Sequence, residues 1–248
     1  MYTKHEIIQL ARKQLALDFN CNPSDFDKEG NLITENILRK GRRIYKNDAA
    51  YLKVLCFNGK AVITADKEII PWCEEKLLDI SAPWFFQYPI LRGIDKKINE
   101  YGHKVADAHH YYMPNTYKVM VKNNFKVKWF EEADIKQFEG DDRFDEAFAF
   151  EATHPDVLAV AAMDGDKIMG MAGASADGED MWQIGIDVLP EYRGRGIATS
   201  LVILLKEEIL RRGKIPFYGT VESHIYSQNV AINAGFYPAW AELYSKTV

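Results

Sequence analysis

Between Gln183 and Val202 the chain reads Gln-Ile-Gly-Ile-Asp-Val-Leu-Pro-Glu-Tyr-Arg-Gly-Arg-Gly-Ile-Ala-Thr-Ser-Leu-Val, and few folds accommodate that order. Ile184, Ile186 and Val188 alternate as in a half-buried strand. Leu189-Pro190 ends the alternation. Gly194 and Gly196 follow, and then Ile197, Leu201, Leu204 and Leu205 fall at helical spacing. Strand, tight glycine turn and helix in that order suit an anion. A helix N-terminus presents unpaired N–H groups and the positive end of its dipole. Glycine lets a phosphate approach where a Cβ would clash. Arg193 and Arg195 add cationic donors. The plainer alternative is a glycine turn that only links strand to helix.

Two familiar phosphate loops do not match. A dinucleotide fingerprint needs a third glycine where Thr199 stands, at the start of a βαβ unit, and this stretch lies late in the chain. A Walker loop needs Gly-Lys followed by Ser or Thr, which is absent. The pattern present is Arg193-x-x-Gly196-x-Ala198. It resembles the R/Q-x-x-G-x-G/A signature of the GNAT superfamily of acetyl-CoA-dependent N-acetyltransferases, as does the surrounding V-x-P-E-x-R-G-R-G-I-A. The resemblance implies that Arg193, Gly194, Arg195, Gly196, Ile197, Ala198 and Thr199 hold the coenzyme A pyrophosphate. It implies that Ile186 and Val188 on the preceding strand pair with the pantetheine arm.

The remaining composition narrows the class. The 248 residues suit two ordinary domains or one large one, and 47% apolar with 27% charged residues describes a globular chain with a sizeable core. No apolar run reaches a membrane span and no signal peptide is read at Met1-Tyr-Thr-Lys-His, so the expected setting is the cytoplasm, with no membrane partner. Cys21, Cys56 and Cys73 lack metal-ligand spacing and read as free thiols. From Lys126 onward there are 12 Lys and Arg against 21 Asp and Glu. That acidic half does not suit nucleic acid. It suits a cationic or amine-bearing substrate, or simply a well-solvated surface.

The first half is less explicit. Helices are expected over 5–17, 69–80 and 94–101, turns over 21–36, and a strand over 105–112. Leu52–Phe57 and Ala61–Ala65 flank Asn58-Gly59, a strong hairpin signal. Asp107, His109 and His110 hint at a metal, but adjacent residues on a strand face opposite sides, so no metal site is expected. Trp84, Phe85, Phe86 and Tyr88 read as core or domain contacts. The half resembles the degenerate first copy in two-part GNAT proteins. A boundary is expected near 115–128, then acidic helical material over 130–151.

The second half follows the GNAT order. Strands are expected over 157–163 and 167–174 with Asp164-Gly165-Asp166 as the turn, a loop over 175–180, and the central strand over 183–188. A helix to Arg212 closes at Gly213, and strand 217–222, helix 223–234 and a last strand 236–245 complete it. The expected class is α/β (α+β): a GNAT-like mixed, largely antiparallel sheet flanked by helices over 121–248, preceded by a smaller α/β domain over 1–120. The tail His224-x-x-Ser227-x-x-Val230 with Gly235-Phe236 is similar to a GNAT N-x-x-S segment, with His224 in place of the asparagine. By position Ser227 and Asn229 are cofactor contacts, or else caps of their helix. Many relatives carry a catalytic tyrosine where this chain has Ala231.

The resemblance implies direct transfer from acetyl-CoA to a primary amine, of a small molecule or a peptide, in a ternary complex, with no metal. Strand N–H groups around Val188 would polarise the acetyl carbonyl. An amine near pKa 10 must lose a proton before attack, which points to Glu222 or Asp187 as base. Tyr226 and His224 are candidates for returning a proton to the thiolate. A coenzyme A-binding pseudoenzyme or sensor is the alternative, and the oligomeric state, a homodimer included, stays open.

Overall fold

The computed structural model describes residues 2–44, 50–121 and 125–248. The expected boundary region includes 122–124, which lie outside these. The chain forms two compact units, one of residues 1–10 and 112–238, the other of 11–111 and 239–248. This differs from a single cut near 120, because the last ten residues belong with the first half.

In chain order the elements begin with α1 (Lys4–Asp18), β1 (Leu32–Glu35), β2 (Leu52–Phe57) and β3 (Lys60–Ala65). Then come α2 (Ile70–Leu77), α3 (Tyr88–Asn99) and β4 (His103–Pro114). β5 (Lys126–Glu131), the short α4 (Glu132–Ile135), β6 (Asp156–Asp164), β7 (Lys167–Ser175) and β8 (Met181–Val188) follow. The chain ends with α5 (Ile197–Arg211), β9 (Ile215–Val221), α6 (Ile225–Asn233) and β10 (Phe236–Thr247).

In the unit of 11–111 and 239–248 the strand order is β1-β3-β2-β10-β4. The Asn58-Gly59 hairpin forms as expected, both residues at positive φ (51° and 76°). β1 was not expected. Leu32–Glu35 lies within turn-rich sequence, yet it pairs in parallel with β3 from Leu32–Val62 to Glu35–Ala65. α3 begins at Tyr88 rather than near residue 94, because Pro89 occupies the first turn, where its missing N–H costs nothing. Of the expected aromatic cluster, Phe85 is buried, but Trp84 and Tyr88 are exposed. The core joins Leu52, Val54, Ile63, Ile69, Ile94, Ile98 and Leu243. Cys21 and Cys73 are buried and Cys56 half-buried, all free thiols.

In the other unit the order is β9-β8-β7-β6-β5, antiparallel except for the parallel pair β8–β9, which α5 connects. Alternation along β6 supplies both faces. Leu158, Val160 and Ala162 join Ile197, Leu201, Leu205 and Ile209 of α5 in one cluster. Ala159 and Ala161 join Phe130, Ile135, Phe138, Phe144 and Phe148 in another. The helical material expected over 130–151 is reduced to short pieces. β5 continues to Glu131, and beyond α4 only 3-10 turns form, at 136–138 and 142–144. Gly140 at φ 81° turns the chain, and packing of the phenylalanines takes precedence over helix propensity.

Candidate active site

The glycine turn rests on left-handed backbone. Gly194 and Gly196 have φ of 74° and 73°. A Cβ at Gly194 would meet nothing within 4 Å, so conformation rather than crowding selects glycine there. Gly196 is the N-cap of α5, and its carbonyl takes both the N–H (3.1 Å) and the hydroxyl (3.0 Å) of Ser200. The N–H groups of Ile197, Ala198 and Thr199 precede that first helical bond and have no acceptor within the helix. Arg193 Nε donates to the Val188 carbonyl at 2.9 Å. Arg195 donates to the Glu191 carbonyl and lies over the Tyr192 ring.

The strands form the rest of the site. β8 and β9 pair from Met181–Ile215 to Ile184–Tyr218 and then part. β8 stays paired with β7 as far as Val188–Gly170, and the Leu189 N–H donates to the Met169 carbonyl at 3.0 Å. Bonded and non-bonded pairs alternate along an antiparallel ladder. The Leu189–Met169 bond therefore makes Val188–Gly170 and Ile186–Ala172 non-bonded pairs. The N–H and C=O groups of Ile186 and Val188 face away from β7, into the gap that β9 has left.

A cleft of about 660 Å³ opens along this gap. Of the expected cofactor residues, Ile186, Val188, Arg193, Gly194, Gly196, Ile197, Ala198, Thr199 and Ser227 line it. Arg195 and Asn229 are exposed and outside the lining. Of the expected catalytic residues, Asp187, His224 and Tyr226 line it, and Glu222 does not. Glu222 is exposed rather than partly buried, and its backbone carbonyl accepts from Gln228 Nε2 at 2.6 Å.

Asp187 is half-buried, and its Oδ2 accepts the N–H groups of Glu146 and Ala147, each at 2.9 Å. Burial raises its pKa, Glu146 and Asp145 reinforce that rise, and the two amide bonds oppose it. Glu146 and Tyr218 line the cleft without having been singled out in the sequence. The Tyr218 hydroxyl lies 2.8 Å from Ser227 Oγ, and burial pushes its pKa up to about 12. Period-two alternation in 217–222 was the available signal for Tyr218. Glu146 had none, because it reaches the cleft by a crossing of the sheet.

One end of the cleft thus offers amides and a guanidinium to an anion. Its middle offers strand N–H groups to a carbonyl or amide, and Asp187 and Glu146 supply carboxylates. Among the described residues no group of three His, Cys, Asp or Glu side chains is placed to hold a metal. No described helix is long and apolar enough to cross a membrane.

Residues 123–236 match the Acetyltransferase (GNAT) family. No curated protein matches the sequence. A GCN5-related N-acetyltransferase-like protein from Streptococcus suis 89/1591 shares the fold over 95% of this chain and 99% of its own, with 13% identity and a TM-score of 0.51. An acetyltransferase from the GNAT family of Colwellia psychrerythraea aligns over 57% of each chain, at 15% identity and a TM-score of 0.43. Aminoglycoside N-acetyltransferase AAC(6')-Iy, solved in complex with CoA, aligns over 46% of this chain and 92% of its own, at 20% identity and a TM-score of 0.35. Residues 123–236, which carry the glycine turn and the parted strands, form a domain of the GNAT acetyltransferase family.

Proposed function

We propose that the domain transfers an acetyl group from acetyl-CoA to a primary amine, by direct attack in a ternary complex. The observation that carries this reading is the parting of β8 from β9 after Ile184–Tyr218, which leaves a gap leading to the N-terminus of α5. The residues fit such a co-substrate. The amides of Ile197, Ala198 and Thr199, with Arg193 nearby, would take the pyrophosphate. The open side of β8 would take the amide-bearing arm. Once bound, acetyl-CoA supplies an activated thioester.

The N–H groups of Ile186 and Val188 face the place where carbonyl charge develops, as an oxyanion hole does. Asp187 is the carboxylate best placed to take a proton from the amine, directly or through water, and burial moves its pKa toward the working range of a base. Glu146 adds a second carboxylate to the same lining, favouring a cationic acceptor, whether small molecule or peptide. His224 and Tyr226 stand in the lining where a proton can be returned. The unit containing 11–111 is proposed as a degenerate counterpart without a glycine signature.

A second reading, a coenzyme A-binding sensor, is favoured by Ala231. It is fully buried, at a place where many members of the family it resembles carry a tyrosine. Thiol release from acetyl-CoA over a panel of monoamines, polyamines, aminoglycosides and lysine peptides separates the two. Transfer predicts amine-dependent release with an acetylated product. Binding without release for any amine would overturn transfer in favour of the sensor.

A further inference from the structure

Ala231 is buried and carries no hydroxyl, yet a part-buried hydroxyl pair lies in the same cleft. Tyr218 stands on the last rung before β8 and β9 part, beside Ile184. At the rise of a parallel strand that is roughly 7 Å back from Ile186, within reach of a tyrosine side chain. The Tyr218 hydroxyl and Ser227 Oγ are 2.8 Å apart, and both residues line the cleft. Tyr218 is 2% exposed, whereas Tyr226 is 85% exposed, so water competes for the second hydroxyl and not for the first.

We infer that Tyr218, oriented by Ser227, donates a hydrogen bond to the sulfur leaving the acetyl group; this rests on the acetyl-transfer reading above. As the amine nitrogen bonds to the acetyl carbon, the C–S bond breaks with its electron pair on sulfur. The nitrogen's proton passes to Asp187 or water. The products are the amide and the coenzyme thiolate, which takes a proton from His224, Tyr226 or solvent. Tyr218 keeps its own proton throughout. Ser227 donates to the phenolic oxygen while the phenolic hydrogen turns to sulfur.

The surroundings of Tyr218 suit a donor that does not ionise. Burial first, and then the carboxylates of Glu146 and Asp187, hold its pKa up at about 12, while the Ser227 bond lowers it. A free thiol titrates at about 8.5, so the sulfur can leave as a thiolate and gains from a hydrogen bond without full proton transfer.

The test titrates the thiol of free coenzyme A bound to the protein, followed by thiolate ultraviolet absorbance, in wild type, Tyr218→Phe, Ser227→Ala and Ser227→Thr. Tyr218→Phe should raise the pH of thiolate formation by about one unit. Ser227→Ala, which leaves the ring in place should the first variant misfold, should shift it the same way by less, and Ser227→Thr should restore it. With an accepted amine, Tyr218→Phe should lower kcat by about 10²-fold at unchanged acetyl-CoA affinity. A folded Tyr218→Phe whose bound thiol titrates as in wild type, or, if it misfolds, a Ser227→Ala that does so, overturns the role of Tyr218 and leaves acetyl transfer standing. Wild type that binds no coenzyme A, or transfers acetyl to no amine, overturns the acetyl-transfer reading and this role with it.

Discussion

Gly185 lies under the backbone carbonyl of Glu146, where a Cβ would come 1.9 Å from that oxygen. Its neighbour Gly173, paired with it across β7 and β8, has the same relation to Ala147 at 2.0 Å. Residues 144–148 can cross the sheet closely only because both positions lack a side chain. The Asp187 bonds to the N–H groups of Glu146 and Ala147 hold the crossing in place. Gly185→Ala should lift this segment and cost about 1–3 kcal/mol, as overpacking does. Urea denaturation should show the loss. KM for the amine should rise because Glu146 moves, while acetyl-CoA affinity by calorimetry stays within about twofold.

If Asp187 is the base, its raised pKa fixes the sign of the pH dependence. The deprotonated form is active, so kcat/KM falls as pH drops through a pKa lying above the ordinary carboxylate value. Asp187→Asn should remove that acid limb and reduce kcat by about 10²-fold or more. The amide can still accept the N–H groups of Glu146 and Ala147, so thermal stability should change little. A variant with a normal rate and an intact acid limb would confine Asp187 to holding the crossing segment.

Glu222 is exposed and outside the cleft lining, so Glu222→Gln should leave kcat within about twofold of wild type. Steady-state rates on an accepted amine settle this, and a loss of about 10²-fold would return Glu222 to the chemistry.

The sequence was most readable where local chemistry decides structure. Gly194 and Gly196 announced a tight turn, Asn58-Gly59 a hairpin, and the alternation of Ile184, Ile186 and Val188 a strand, and each formed. It was least readable where a distant partner decides. Leu32–Glu35 becomes a strand because β3 offers an edge to it. Residues 130–151 form only short helical pieces because Phe138, Phe144 and Phe148 pack on the sheet. Ile197 to Thr199 could be placed from their order in the chain, whereas Glu146 comes to the cleft through Gly173 and Gly185, 27 and 39 residues away.

The unit of 11–111 and 239–248 holds a buried ion network. Arg43 bridges Asp18 and Glu242, at 2.5 Å and 2.6 Å, and Trp240 Nε1 donates to Glu242 at 2.7 Å. Lys53 is buried nearby, and that burial brings its pKa down to about 8. Removing one partner leaves charge uncompensated in a dry interior. Glu242→Ala should therefore cost about 3–5 kcal/mol, read by chemical denaturation. A loss under about 1 kcal/mol would show that the network relaxes or admits water.

The central claim is that the gap between β8 and β9, closed at one end by the α5 turn, takes acetyl-CoA. Calorimetric titration of acetyl-CoA into wild type and Gly196→Asp tests it most directly. Wild type should bind one equivalent, in the micromolar to millimolar range of enzyme substrates. The folded variant should bind none, because it places a side chain and a negative charge where the pyrophosphate belongs. A folded wild type without affinity, or a folded variant with affinity equal to it, would contradict the account.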